Sequence, residues 1–137
     1  MYAQFETDSK KDNSGVVMYF PANRDGSIPQ MTIARDGVTN MAFKAEMKIQ
    51  HDKHADKIRF KQLTGEDYVQ MHREAYAVGI IKGWENVQDR DGRPMEYTRE
   101  NAVKLLTDLP ELFYEIEIFA KNVDNFRRER LEDVAKN

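Results

Sequence analysis

The pattern of apolar and polar positions is clearest near the C-terminal end of the chain. Between Leu109 and Phe126, apolar residues recur every three or four positions, which places them on one face of an amphipathic helix. Just before this stretch, Asp108 could cap the helix and Pro110 suits a position in the first turn. The pattern predicts a helix that packs against other helices.

Two more helices are predicted upstream from their starting signals. The sequence "TGED" places the Thr64 hydroxyl three residues before Asp67, which is the spacing of a capping box. We predict a helix over residues 65–82, ended by Gly83. The sequence "TREN" predicts a shorter helix that begins at Thr98.

Two periodicities compete between residues 40 and 63. The alternation typical of a strand involves Phe43, Ala45, Met47 and Ile49. The spacing typical of a helix face involves Met41, Ala42, Ala45 and Ile49. Strong helix formers dominate the stretch, and Thr39 or Asn40 could cap its start. We therefore predict a helix that ends near His51 to His54, and a partly extended structure stays an alternative.

The N-terminal part predicts a different architecture. The polar sequence "TDSKKDNSG" indicates a flexible arm over residues 1–14. The stretches "GVVMYF" and "PQMTIARD" flank an Asp-Gly turn signal and predict a β-hairpin over residues 15–36. The expected fold class is α+β, mostly α, with a short N-terminal β-hairpin followed by a small bundle of about four helices. Residues 15–137 would form a single domain, with its helical part at 39–131.

Composition narrows the class of protein. A length of 137 residues suits one domain. The net charge is -3 and the basic residues are dispersed, so we expect no nucleic-acid partner. The absence of cysteine excludes disulfides and thiolate metal sites. No apolar run approaches the roughly 20 residues of a membrane helix, and the first residues, "MYAQFETDSKKDN", lack the basic-then-apolar pattern expected of a signal peptide. We therefore expect a soluble protein of the cytoplasm that does not bind membranes.

One turn invites a calcium interpretation. Asp89, Asp91 and Gly92 match three positions of an EF-hand loop. In that register, however, Val87 and Thr98 would occupy the first and last positions, where the cation needs carboxylates. We expect an ordinary Asp-Gly turn without metal.

The sequence "HDKH" offers a second candidate for metal binding. His51 and His54 lie one helical turn apart, beside Asp52 and Asp56. A metal-dependent enzyme built on His51, His54 and Asp56 is an alternative, but no third ligand is fixed by the spacing, and a solvated linker is favoured. The chain also lacks a phosphate-binding glycine loop and a nucleophile motif. We expect neither an enzyme nor a cofactor.

We hypothesise that the helices have more apolar surface than one small core can bury, which would indicate a binding function. Trp84, the single tryptophan, either fills the corner between two helices or lines a partner groove, and the corner is favoured. Seven methionines suit a surface that adapts to many similar helical segments. The predicted partner-binding residues are Met71, Tyr76, Trp84, Tyr114, Ile118 and Phe126.

The stretch from Val78 to Arg127 resembles the C-terminal half of the tail assembly chaperones of long-tailed bacteriophages. The resemblance covers more than a third of the chain, "VGIIKGWENVQDRDGRPMEYTRENAVKLLTDLPELFYEIEIFAKNVDNFR". The positions that carry it are Gly83, Trp84, Glu85, the turn from Asp89 to Pro94, Tyr97, Thr98, Glu100 to Ala102, Leu105, Leu106, Pro110, Leu112, Phe113, Asn125, Phe126 and Arg127.

The resemblance implies a small non-virion protein that binds and solubilises the hydrophobic tape-measure protein and helps the tail tube assemble. Tail-tube protein would be recruited by a frameshifted, longer form, and a homo-oligomer is left open. The expected location is the cytoplasm of the infected or prophage-carrying host. The alternative is a structural tail or head-completion protein that stays in the virion.

Overall fold

The computed structural model describes residues 1–128. Their helices are α1 (Tyr2–Phe5), α2 (Ser9–Ser14), α3 (Met41–Lys53), α4 (Ala55–Arg59), α5 (Gly65–Ala75), α6 (Arg99–Asp108) and α7 (Pro110–Lys121). Their strands are β1 (Val16–Tyr19), β2 (Gln30–Ile33) and β3 (Ile81–Glu85). A π-helical segment (Tyr76–Ile80) joins α5 to β3, and a 3-10 turn (Val123–Phe126) follows α7.

The strands form one antiparallel sheet in the order β1-β2-β3. β2 lies in the centre, so that Met31 is opposite Met18 on one side and opposite Trp84 on the other. The predicted fold class, an N-terminal hairpin followed by a helical bundle, is therefore wrong. Two helices precede the first strand, and the third strand comes from the middle of the predicted helical part.

The error arises where α5 ends. The apolar spacing of a helix continues beyond Ala75, and a helix over residues 65–82 was predicted from it. Instead, the chain passes through the π-helical segment and enters β3 at Ile81. β-branched and aromatic residues favour a strand when a partner edge is available, and β2 provides that edge. Gly83 accordingly lies within β3, opposite Thr32, and does not end a helix.

The helix starts agree with their capping signals. The Asn40 side chain accepts a bond of 3.1 Å from the backbone N–H of Phe43, and the helical interpretation of α3 is confirmed. Thr64 and Asp67 form the predicted capping box at the start of α5. The Thr98 hydroxyl accepts a bond of 3.0 Å at the start of α6. Each cap satisfies backbone donors that the helix leaves free.

Helix α7 begins with Pro110 in its first turn, as predicted. Asp108 does not cap it, because its carboxylate accepts a bond of 2.7 Å from Lys104 in α6. The helix also ends earlier than Phe126: it stops at Lys121, and the 3-10 turn completes the apolar stripe. The predicted helical extension to residue 131 ends outside the described residues.

The core lies between the inner face of the sheet and the helices that surround the π-helical segment. It is formed by Met31, Ile33, Tyr76, Ala77, Ile80, Ile81, Val87, Ala102, Leu105, Leu106, Phe113, Ile116 and Ala120. Gly79 permits close packing of α3 there, because a Cβ atom at this position would lie 2.5 Å from the Phe43 Cα. Within residues 1–128, no helix has the length and apolar character required to span a bilayer.

The N-terminal segment expected as an arm forms α1 and α2. The Asp12 side chain is buried, and its carboxylate accepts hydrogen bonds from the hydroxyls of Thr7 (2.7 Å) and Thr39 (2.9 Å). The backbone N–H of Asp8 donates a bond of 2.8 Å to the carbonyl of Phe126. The bonds of Asp12 attach α2 to the segment before α3, and the bond of Asp8 connects the two ends of the described chain.

Candidate partner-binding site

Three of the six predicted partner-binding residues lie in the interior. Met71, Tyr76 and Phe126 are 1%, 0% and 0% exposed. Their spacing marks the inner faces of α5 and of the C-terminal stripe, and they contribute packing rather than a surface. The structure therefore does not bring these three side chains together with the other predicted residues on one accessible face.

Tyr76 has a structural role at the centre of the core. Its ring contacts Phe43 and Phe113, with centroid separations of 5.7 Å and 5.1 Å. Its hydroxyl donates a hydrogen bond to the carboxylate of Asp36. Burial, reinforced by this bond to Asp36, raises the pKa of the Tyr76 phenol well above its ordinary value. The phenol is therefore neutral and held in place.

Trp84 is half-buried in β3. Its indole N–H donates a bond of 2.8 Å to the carbonyl of Met95, and its ring meets Tyr97 edge-on at 5.1 Å. The single proton of the Tyr97 hydroxyl is in turn shared between the carbonyls of Ala77 and Ile81. Trp84 thus fastens the segment after β3 onto the sheet, and the corner it fills is between a strand and a loop instead of between two helices.

The remaining two predicted residues, Tyr114 and Ile118, lie on the outer side of α7. Their side chains are 59% and 49% exposed. They are separated by one helical turn and are therefore neighbours on the helix surface. The opposite side of α7 buries Phe113, Ile116 and Ala120 in the core. We call the exposed pair Tyr114 and Ile118 the α7 ridge.

Two glutamates accompany the α7 ridge and were not among the predicted partner-binding residues. Glu111 and Glu115 are exposed and lie one turn apart, in a row next to the ridge. Within residues 1–128, neither carboxylate has an ion-pair partner, whereas Glu117 pairs with Lys121 at 3.3 Å. The repeat Glu-x-x-Tyr-Glu-x-x-Ile in the sequence was the available signal.

Other apolar side chains are exposed elsewhere. On the outer face of the sheet, Val17 and Tyr19 are 42% and 67% exposed. A groove beside the end of α6 has an apolar floor of Met95, Leu105 and Leu109 and a charged rim. These surfaces were not identified in the sequence, because their exposure depends on strand pairing and on the path of the loop after β3.

The turn that suggested calcium uses its own carboxylate. Asp89 Oδ1 accepts bonds of 2.9 Å and 3.0 Å from the backbone N–H groups of Asp91 and Arg93. Gly92 has a φ of 77°, which the turn requires. Val87 is buried, and Thr98 caps α6. Val87, Asp89, Gly92 and Thr98, at the first, third, sixth and last positions of the calcium register, therefore each have a structural role.

The histidine pair lies at the end of α3. His51 is exposed, and the Nδ1 atom of His54 is 2.9 Å from the carbonyl of Gln50. Asp52 pairs with Lys48 and Asp56 pairs with Arg59. In the part of the chain that the structure describes, no three His, Asp or Glu side chains are grouped closely enough to hold a metal ion.

Comparison with known proteins identifies the origin of the chain. The sequence model of the YdaY prophage protein family matches residues 38–137, which is well over half of the chain. The matched residues include every described helix and strand from α3 onward, and therefore the α7 ridge. Searches among curated proteins and among solved structures found no match. The chain therefore belongs to the YdaY prophage protein family, which confirms the phage origin implied by the sequence resemblance.

Proposed function

We propose that this protein is a phage tail assembly chaperone. It would bind and solubilise the tape-measure protein, help the tail tube assemble and be absent from the mature virion. The proposal is supported by the resemblance of Val78 to Arg127 to such chaperones, together with the phage origin of the family. The activity proposed is binding, and it requires neither catalysis nor a cofactor.

The observation that carries this proposal is the α7 ridge. Tyr114 and Ile118 are large apolar side chains that stay in solvent although the same helix buries its other face. A helical partner that lays its own apolar stripe along α7 would remove both ridge side chains from water. The ridge also lies within the stretch that resembles the chaperones.

A helix of 12 residues such as α7 is about 18 Å long. It can therefore cover only a few turns of a long helical partner, and a long tape-measure protein would be covered by many copies of the chaperone. We further propose that a frameshifted, longer form brings tail-tube protein to this complex. The proposed complex forms in the cytoplasm of the host.

Co-expression with the tape-measure protein of the same prophage tests the proposal. The variant Tyr114→Gln/Ile118→Gln removes the apolar ridge and retains good helix-forming residues. The matched control is Val17→Thr/Tyr19→Thr, which makes two exposed apolar positions of the sheet polar and keeps a strand-favouring residue. We expect the wild type and the control to increase the soluble fraction of the tape-measure protein and the ridge variant to lose most of this effect.

Two results would contradict the proposal. The tape-measure protein could be equally soluble with and without this chain, which would exclude a chaperone role. Mass spectrometry of purified particles could also find the chain in the virion in stoichiometric amount, which would instead support a structural tail or head-completion protein. Loss of solubilisation in the control as well would contradict the assignment of binding to the α7 ridge, because the effect would then not be specific to that surface.

A further inference from the structure

We infer that the α7 ridge recognises a helix whose apolar stripe is flanked on one side by lysines or arginines. This inference rests on the proposed function and specifies which segments of the partner bind. It follows from the row of glutamates beside the ridge, Glu111 and Glu115. The apolar pair would supply burial, and the acidic row would select the partner and its direction.

The four side chains form a regular surface. Glu111 and Tyr114 are three residues apart, as are Glu115 and Ile118, so each glutamate lies beside one ridge residue. Glu111 and Glu115 follow one another along the axis, as do Tyr114 and Ile118. An apolar stripe placed on the ridge would therefore have one flank along the acidic row.

The acidic row is not neutralised by the described part of the chain. The one ion pair within α7 joins Glu117 to Lys121, on the other flank of the ridge, and the lysine of α6, Lys104, pairs with Asp108. Glu111 and Glu115 have no ion pair within residues 1–128. Basic side chains of a partner would meet two free carboxylates at the rim of the contact, where charge sets specificity and association rate.

The same charges disfavour a second copy of this chain as the occupant. If two α7 helices packed ridge to ridge about a two-fold axis, the same patch would be present on both sides. Four unpaired carboxylates, Glu111 and Glu115 of each copy, would then surround one small apolar contact. Like charges at an interface oppose association, so the ridge selects a partner of opposite charge.

The test measures binding of labelled helical peptides to the full chain by fluorescence anisotropy. Three peptides of about 20 residues share one apolar stripe and carry lysine, glutamine or glutamate on one flank. We expect the lysine peptide to bind most tightly and the glutamate peptide most weakly. Raising the salt concentration from about 50 mM to about 500 mM should reduce the difference, because exposed charges are screened.

The variant Glu111→Gln/Glu115→Gln locates the effect. It should weaken binding of the lysine peptide about threefold to tenfold, as expected for two exposed ion pairs, and leave binding of the glutamine peptide unchanged. The control is Glu96→Gln/Glu100→Gln, which removes the same charge elsewhere; Glu100 lies in the first turn of α6, as Glu111 does in α7. We expect the control to bind all three peptides like the wild type.

Failure of this inference and failure of the proposed function give different results. Equal binding of all three peptides, lost in Tyr114→Gln/Ile118→Gln, would overturn the charge selection and keep the ridge as the chaperone surface. Equal weakening by the control would assign the effect to net charge and would also overturn it. If no peptide binds while co-expression still solubilises the tape-measure protein, the chaperone function stands and the α7 ridge is not its recognition site.

Discussion

Replacement of Asn40 by alanine should destabilise the fold more than loss of any other helix cap. The side chain is fully buried and makes three hydrogen bonds. Its oxygen accepts from Phe43 N–H at 3.1 Å, and its amide donates to the carbonyls of Arg35 and Gly79, each at 2.9 Å. Asn40 thereby joins the segment after β2, the π-helical segment and the start of α3.

The magnitude follows from these three contacts. Loss of an N-cap costs about 1 kcal/mol. Each of the two bonds donated by the amide contributes about 1 kcal/mol, and the Gly79 carbonyl would be left in the interior without this donor. We expect Asn40→Ala to lower the free energy of unfolding by about 3 kcal/mol, a large part of the roughly 5–15 kcal/mol of a typical domain.

Thr64→Ala is the matched comparison, because it removes the N-cap of α5 at an exposed position where no buried bond is lost. It should cost about 1 kcal/mol. Urea unfolding followed by circular dichroism would measure both variants, with Trp84 fluorescence as a second probe. If Asn40→Ala is no more destabilising than Thr64→Ala, the buried amide contributes nothing beyond its cap and the reasoning is refuted.

Three further predictions concern the core. Gly79→Ala should lower the free energy of unfolding, measured with urea, by about 2–4 kcal/mol, because the new Cβ would lie 2.5 Å from the Phe43 Cα and α3 would have to shift. An unchanged unfolding midpoint would contradict this close approach. Trp84→Phe should lower the free energy of unfolding by about 2 kcal/mol in the same assay, because the hydrogen bond to the Met95 carbonyl and part of the packing are lost. The pKa of the Tyr76 phenol is raised in the folded protein, so its contribution to stability is complete below its pKa in the unfolded chain, 10.0, and is lost as the pH rises above that value. Tyr76→Phe should therefore reduce the fall of the urea unfolding midpoint between about pH 9 and about pH 11. If the midpoint of the variant falls with pH as steeply as that of the wild type, the Tyr76 phenol is not the source of the pH dependence.

The elements that were predictable from the sequence have local determinants. The starts of α5 and α6 follow from hydroxyls at Thr64 and Thr98, each of which reaches a backbone N–H three residues ahead. Similarly, Asn40 caps α3 and decides between the two periodicities of that stretch. A cap needs only neighbouring residues, so its signal is complete in a short window of sequence.

β3 has no such local signal. Its residues continue the apolar stripe of α5, and the strand forms because β2, far upstream, offers a pairing edge to Ile81 and the residues after it.

Burial was also difficult to predict. Met71 and Tyr76 show the same spacing whether a helix face meets the core or a partner. In the structure Tyr76 belongs to one core cluster with Met31 and Ile33 of β2, a contact that the spacing alone does not predict. Periodicity identifies an apolar face, but tertiary structure decides what covers it.

Because Tyr114 and Ile118 are exposed, substitutions at these positions can test binding without changing stability, which substitutions of the buried residues cannot do. Isolated apolar side chains on a surface are common and need no function. If the α7 ridge were only such a remainder, Tyr114→Gln/Ile118→Gln would leave both stability and partner solubility unchanged, since neither side chain contributes to the core. If the ridge is a binding surface, the same variant keeps its unfolding midpoint and loses its effect on the tape-measure protein. The contrast between those two measurements, and not exposure itself, is what assigns a role to α7.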